Sequence, residues 1–330
     1  MNITLLSPLD MHLHLREGQM LESVAQYSSS SFAGAVIMPN LISPVDSLDK
    51  VRHYKSQIVD ACNNDIFTPY MTLFFRPYTR DELVQAKQEI IGVKLYPAGV
   101  TTRSESGVSN FAMIDETLSY MEELQIPLLV HGETNGFVMD REREFIEVYR
   151  RLAEKFPGLH IIMEHITTAE AVEFVDKFPN VSATITLHHL MITLDDVIGN
   201  LMEPDLFCKP IAKTPRDLAT LRDAVFGGHP RIMFGSDSAP HPRHKKECCG
   251  CAAGIFSAPV ALPMLAELFE EVDRLELLQN FVCGIACTRY GLQPPEKTIT
   301  LERRAWKVPE FCNGLVPFGA GRNIRWSLTP

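Results

Sequence analysis

Near its start the chain reads Asp10-Met-His12-Leu-His14-Leu-Arg16. Histidines at i and i+2 of an extended segment project to the same side, because side chains alternate along a strand. Two imidazoles so placed suggest a divalent-metal site, but a lone His-x-His is more often coincidental, so the reading rests on further ligands elsewhere in the chain. Lys94 in Gly92-Val-Lys-Leu-Tyr96, His131 in Leu-Leu-Val-His-Gly-Glu, His165 in Ile-Ile-Met-Glu-His-Ile and Asp237 in Gly-Ser-Asp-Ser-Ala-Pro-His are the candidates. Each has a bland explanation when taken alone. A core histidine satisfied by hydrogen bonds is common, and a lysine can snorkel to the surface. Lys94, however, interrupts a buried-strand pattern, where a lysine is seldom left unpaired.

The elements that must position these residues are legible in the hydrophobic pattern. Short β-rich apolar runs fall at Leu9–His14, Ala35–Met38, Tyr70–Phe75, Gly92–Tyr96, Pro127–His131, His160–His165, Val181–Leu187 and Ile232–Ser236. Between them lie amphipathic segments such as Asp81–Ile90, Ile114–Gln125, Arg141–Phe156 and Ala169–Phe178, with an apolar period near 3.6. Strands that alternate with helices imply parallel pairing, and eight such units close into a (β/α)8 barrel. An open doubly wound sheet is the alternative, but no Gly-x-Gly-x-x-Gly follows any run. The pattern predicts one α/β domain over residues 1–330, with a barrel core over about 9–254. A tail over 255–330, helical at Ala258–Asp273 and Leu275–Tyr290 and then irregular, is expected to pack on it. In this arrangement all six candidate side chains end strands or lie in them, so they converge on the C-terminal rim, the catalytic face of such barrels.

Composition narrows the function classes. The 330 residues carry a formal net charge of −10, which disfavours nucleic acid and anionic membranes as partners. No apolar run reaches the ~18–20 residues of a membrane span, and the N-terminus has no basic, cleavable leader pattern. Eight cysteines in so long a chain do not read as a disulfide framework, so a cytoplasmic location is expected. Cys248, Cys249 and Cys251 form half of a Cys-x-x-Cys zinc pattern with no second half and are set aside. The run His241-Pro-Arg-His-Lys-Lys246 is read as a loop rim on an acidic protein.

The motifs Asp10–Glu17, Met38-Pro-Asn40, Lys94-Leu-Tyr-Pro97, His131-Gly-Glu133, Glu164-His-Ile-Thr-Thr168 and Gly235–His241, taken in order, resemble the dihydroorotases of the amidohydrolase superfamily. The shorter, monofunctional bacterial class is the better match. The resemblance implies a distorted (β/α)8 barrel, two zinc ions per subunit and a homodimer. It also implies reversible cyclisation of N-carbamoyl-L-aspartate to L-dihydroorotate in pyrimidine synthesis. Carried over position by position, His12, His14 and Asp237 would hold one zinc and His131 and His165 the other. Lys94, carboxylated by CO2 to N6-carboxylysine, would bridge them, and Asp237 would also shuttle the proton. A buried, cation-flanked lysine has a lowered pKa, which makes that carboxylation plausible chemistry.

The resemblance further implies that Arg16, Asn40 and His241 bind the substrate carboxylate, and that backbone groups near Lys209 and Ala253 bind the ring amides. The match at Ala253 is loose by one residue, because Glu247-Cys-Cys-Gly-Cys-Ala departs from the common pattern. Thr101 and Thr102, in the small polar segment Gly99–Gly107, would belong to a mobile lid with glycine hinges. Arg16 can offer a bidentate fork on its own account, whereas Asn40 reads equally as a turn residue. The rivals are other cyclic-amide hydrolases (hydantoinase, dihydropyrimidinase or allantoinase) and a noncatalytic scaffold of the same fold. The carboxylate contacts argue against the first group, and the full set of six metal-site residues against the second.

Overall fold

Strand β1 (Asn2–Leu6) precedes eight parallel strands: β2 (Leu9–Leu13), β3 (Gly34–Ile37), β4 (Thr68–Phe74), β5 (Gly92–Leu95), β6 (Leu128–Val130), β7 (Ile161–Met163), β8 (Val181–Ile185) and β9 (Ile232–Phe234). The computed structural model describes residues 1–111 and 113–329, so the last residue of the expected tail, Pro330, lies outside the described residues. Each of β2 to β8 pairs with the next, and helices occupy the connections. These are α1 (Gln19–Ser29), α2 (Leu48–Ala61), α3 (Arg80–Ala86), α4 (Asp115–Leu124), α5 (Arg141–Lys155), α6 (Ala169–Lys177), α7 (Leu194–Ile198) and α8 (Pro215–Phe226). The helix starts are chemically marked. Thr79, Thr168 and Thr214 accept from the third backbone N–H of α3, α6 and α8, which satisfies donors the helix leaves open.

The barrel is closed where β2 meets the segment after β9. Asp237 N donates to His12 O at 2.8 Å, and His14 N donates to Ser238 O at 3.2 Å. The closing seam therefore passes through three of the candidate metal-site residues. Leu9, Met11, Val36, Met38, Leu129, Ile162 and Met233 fill the barrel interior, while a larger core lies between strands and helices. In β2 the parity changes: Leu9 and Met11 face the inner core, but Leu13 and Leu15 join the outer one. A register shift between Asp10 and Leu13 accounts for the switch and turns His12 and His14 inward.

The tail departs from the expected pattern in two respects. The expected helix over Leu275–Tyr290 is interrupted, with one wide π-type turn at Asn280–Gly284 before α11 (Ile285–Tyr290). The segment expected to be irregular contributes strands β10 (Thr298–Glu302), β11 (Trp306–Lys307), β12 (Asn323–Ile324) and β13 (Ser327–Leu328). β10 pairs antiparallel with both β1 and β13, so the first residues of the chain are tied to the last. Helices α9 (Arg243–Lys246) and α10 (Ala261–Glu271) complete the fold, and Trp326 of the tail is fully buried in the outer core.

Candidate metal centre and substrate pocket

His12 sits inside β2 and Lys94 inside β5, whereas His14, His131, His165 and Asp237 lie just past their strands. The expected strands ending at His131, His165 and Ser236 are thus too long, because the chain turns out of the ladder where the chemistry begins. At His165 and Asp237 the backbone is left-handed, with φ of 41° and 43°, and Arg16 is similar at 62°. Non-glycine residues hold that conformation only where surrounding contacts fix it. Here Thr184 Oγ1 accepts from His165 N at 2.7 Å, and the seam bond fixes Asp237.

The hydrogen-bond pattern suits a cation. His12 Nδ1 donates to Glu164 Oε2 at 2.7 Å, so its Nε2 carries a lone pair. That buried Nε2 has no hydrogen-bond partner and faces Asp237 Oδ1 at 3.6 Å. His14 Nε2 lies 3.1 Å from the same oxygen. His14 can donate to that oxygen, but the His12 Nε2 lone pair is buried beside a carboxylate with no donor to meet it, a cost that a bound cation would remove. The donor atoms of His12, His14 and Asp237 all fall within 4.8 Å of one another. Across the pocket, His131 Nε2 donates to Glu133 Oε2 at 2.9 Å, which leaves Nδ1 facing His165 Nε2 at 3.2 Å. Nitrogens held ~2.0–2.1 Å from a tetrahedral zinc are separated by about 3.3 Å, so this pair already has the required spacing.

Lys94 is fully buried and its Nζ has no hydrogen-bond partner. Burial pulls its pKa down to about 8, against the opposing pull of Glu164 and Asp237. Burial also holds His12 and His165 well below the usual imidazole range, with Lys94 and neighbouring histidines adding to it, so both imidazoles are neutral. Glu164 is pushed up to about 7 by the same desolvation. Glu133 shifts the other way. Burial raises it, but the His131 hydrogen bond and nearby cations outweigh that and leave it lowered.

Above the centre is a small pocket lined by His12, His14, His131, His165 and Asp237 and, on its other walls, by Arg16, Asn40, Thr101, Thr102, Lys209 and Ala253. Arg16 Nε donates to Pro240 O at 3.2 Å, and its NH2 lies 3.1 Å from His241 Nε2. His241 in turn contacts Ala253 O at 3.0 Å, and burial followed by the Arg16 charge lowers its pKa to about 3. Asn40 Nδ2 donates to Thr102 O at 3.0 Å, and Thr102 Oγ1 donates to Ala253 O at 3.5 Å. The 99–107 segment therefore lies across the pocket, and Asn40 holds it there rather than capping a turn. Gly107 is required by close approach: a Cβ there would meet Tyr96 O at 2.3 Å.

The structure brings together every residue the sequence pointed to, with His241 behind the wall against Arg16. It adds residues for which the sequence offered only a place in a motif. Asp10 accepts from the backbone of His12 and Ser236, while Glu133 and Glu164 orient the imidazoles. A carboxylate inside a buried run was the available signal. Tyr96 also lines the cavity, with its hydroxyl buried and unpartnered. Within the basic run Lys246 is buried and donates to the carbonyls of Phe207, Ala252 and Gly254, while Arg243, His244 and Lys245 are exposed.

Comparison with known proteins agrees with this geometry. The amidohydrolase family model matches residues 67–263. A dihydroorotase of Helicobacter hepaticus is 43% identical over 99% of the chain and 97% of its own length. The crystal structure of a Campylobacter jejuni dihydroorotase is 51% identical over the whole chain and 98% of its own, with a TM-score of 0.96. The chain belongs to the amidohydrolases and, among them, to the dihydroorotases. The Saccharomyces cerevisiae dihydroorotase, solved with 5-fluoroorotic acid, is 34% identical over 99% of this chain and 98% of its own, at a TM-score of 0.93. An Arthrobacter aurescens L-hydantoinase, at 18% identity and a TM-score of 0.82, shares the fold.

Proposed function

We propose that the chain is a zinc-dependent hydrolase that interconverts L-dihydroorotate and N-carbamoyl-L-aspartate. The observation that carries this is the buried pair of ligand groups, His12–His14–Asp237 and His131–His165, facing a wall built around the Arg16 guanidinium. Imidazole nitrogen and carboxylate oxygen suit zinc, and two ions are assigned, one to each group. Bound there, zinc supplies Lewis acidity and lowers the pKa of water from 15.7 toward ~7.

The chain's own residues do the rest. Lys94, with its lowered pKa, has a neutral amine fraction at physiological pH that can add to CO2 with loss of a proton. The resulting carbamate would place one negative charge, shared by two oxygens, where an unpaired ammonium would otherwise sit. Asp237 accepts a proton from the attacking water and delivers it to the departing ring nitrogen; in the reverse direction it takes the amide proton as the ring closes. Arg16 and Asn40, with His241 beside them, hold the ring carboxylate. Backbone groups at Lys209 and Ala253 meet the ring amides. Thr101 and Thr102 close over the substrate and exclude water.

The reading further places barrel and tail in one hydrolase domain that works as a homodimer in the cytoplasm. Its eight cysteines are all free thiols, which fits a reducing compartment. The test is to follow dihydroorotate with purified protein beside hydantoin and dihydrouracil. Turnover confined to dihydroorotate is expected. Faster hydrolysis of the neutral rings would make the chain a hydantoinase-type enzyme instead.

A further inference from the structure

Behind the Lys209 wall of the pocket lies a second group of donors that the mechanism does not use. His188 and His189 form a short turn just after β8, and Cys208 comes from the loop that leads to Lys209. His188 and His189 are 0% and 2% exposed and Cys208 1%. Their ligand atoms all lie within 4.8 Å of one another. The anomaly is His188, because both of its ring nitrogens are buried with no hydrogen-bond partner. Leaving a buried polar group unpaired is costly and rare, so it needs a cause.

The contacts of the other two residues suggest that cause. His189 Nε2 lies 3.1 Å from Pro210 O, Cys208 Sγ lies 3.2 Å from the same oxygen, and the nitrogen and sulfur are 3.6 Å apart. Two protons thus converge on one carbonyl. With zinc–nitrogen ~2.0–2.1 Å and zinc–sulfur ~2.3 Å, a tetrahedral N–S edge is about 3.6 Å, which the His189 and Cys208 atoms already have, and the His188 ligand atom lies within 4.8 Å of both. We propose that His188, His189 and Cys208 form a separate structural site for a borderline-soft divalent cation of the zinc or cobalt type, completed by the Pro210 carbonyl.

The proton balance is simple. The ion replaces the Cys208 S–H proton, which leaves to solvent. The His189 proton moves from Nε2 to Nδ1, where Thr186 Oγ1, at 2.9 Å, turns from donor to acceptor. Burial otherwise pushes the Cys208 thiol up, so a cation is what makes the thiolate stable there. The ion fastens the loop that carries Lys209 to the end of β8, and so steadies one wall of the substrate pocket without touching substrate.

The site differs from the binuclear centre by its sulfur, and the test uses that difference. The full chain is purified from cells grown on cobalt, and its near-ultraviolet spectrum and metal content are measured. Because the catalytic ligands are nitrogen and oxygen alone, a thiolate-to-cobalt charge-transfer band reports this site whatever the reaction catalysed. We expect that band and three ions per chain. Cys208→Ser and His188→Gln should each lose the band and one ion, while Cys248→Ser/Cys249→Ser/Cys251→Ser keeps both. No band in the unaltered protein, or a band that survives Cys208→Ser, would overturn the proposal.

Discussion

Replacing Arg16 with methionine removes the guanidinium and keeps an unbranched stem, which isolates the group assigned to the ring carboxylate. Arg16 is 7% exposed, and burial lowers its pKa only to about 10, so it is charged at neutral pH. Its position is fixed from three sides: Nε on Pro240 O, NH2 against His241 Nε2, and the Tyr54 hydroxyl on the Arg16 carbonyl at 2.6 Å. A guanidinium has five N–H donors, so the two nitrogens engaged with Pro240 and His241 leave others to meet a carboxylate. A hydrogen bond to a charged group contributes ~1.5–3 kcal/mol, and one in a largely dry pocket belongs in the upper part of that range. At ~2–3 kcal/mol, and 1.4 kcal/mol per decade, kcat/KM for dihydroorotate should fall roughly 30- to 150-fold. Arg16→Lys should recover only part of this, since a point charge cannot reproduce the fork. The assay measures kcat/KM and zinc content together on all three proteins. A value within about threefold of wild type at equal zinc content would refute the carboxylate assignment.

Other expectations follow from the metal side of the pocket and from the buried acids. Lys94→Ala should lose metal and activity together, with partial rescue by a short carboxylic acid; two retained ions and a near-normal rate would defeat the carbamate. In zinc-replete Asp237→Asn, kcat should drop by ~10²–10⁴ with a smaller change in KM, as expected for loss of a proton carrier. Glu164→Gln weakens the orienting partner of His12 and should lower metal affinity by ~10–100-fold, read by competition with a chelator. Glu142, pushed up to about 7 by burial and bonded to Thr167 N at 2.9 Å, binds its proton more tightly folded than unfolded. Its contribution is complete below the ordinary value near 4.5 and is lost as pH rises through about 7. Glu142→Gln should therefore gain on wild type in denaturant titrations as pH rises across that window. A constant gap would contradict the shift.

The placement of candidate ligands at strand ends could be read from the sequence because apolar runs such as Leu128–Val130 stop abruptly at a histidine. Seven inward apolar side chains and their outward neighbours keep the period of two that marks a strand. Local pattern failed where partners are remote. The parity switch in β2 depends on pairing with β3, and the β1–β10 pair joins segments nearly 300 positions apart. The same holds for the polar network. Glu164 meets His12 across 152 positions and Asp10 meets Ser236 across 226, so neither role is written in its neighbours. The His188–His189–Cys208 group escaped because no spacing rule links a His-His pair to a cysteine 19 residues on.

The central claim is that Lys94 and the five other candidate ligands hold two metal ions as one centre. Anomalous diffraction at the zinc edge, from crystals of the zinc-loaded protein grown with bicarbonate, tests it directly. Two peaks are expected in the pocket, one beside His12, His14 and Asp237 and one beside His131 and His165, with continuous density from Lys94 Nζ spanning them. A single peak there, or a bare Lys94 amine beside two peaks, would contradict it.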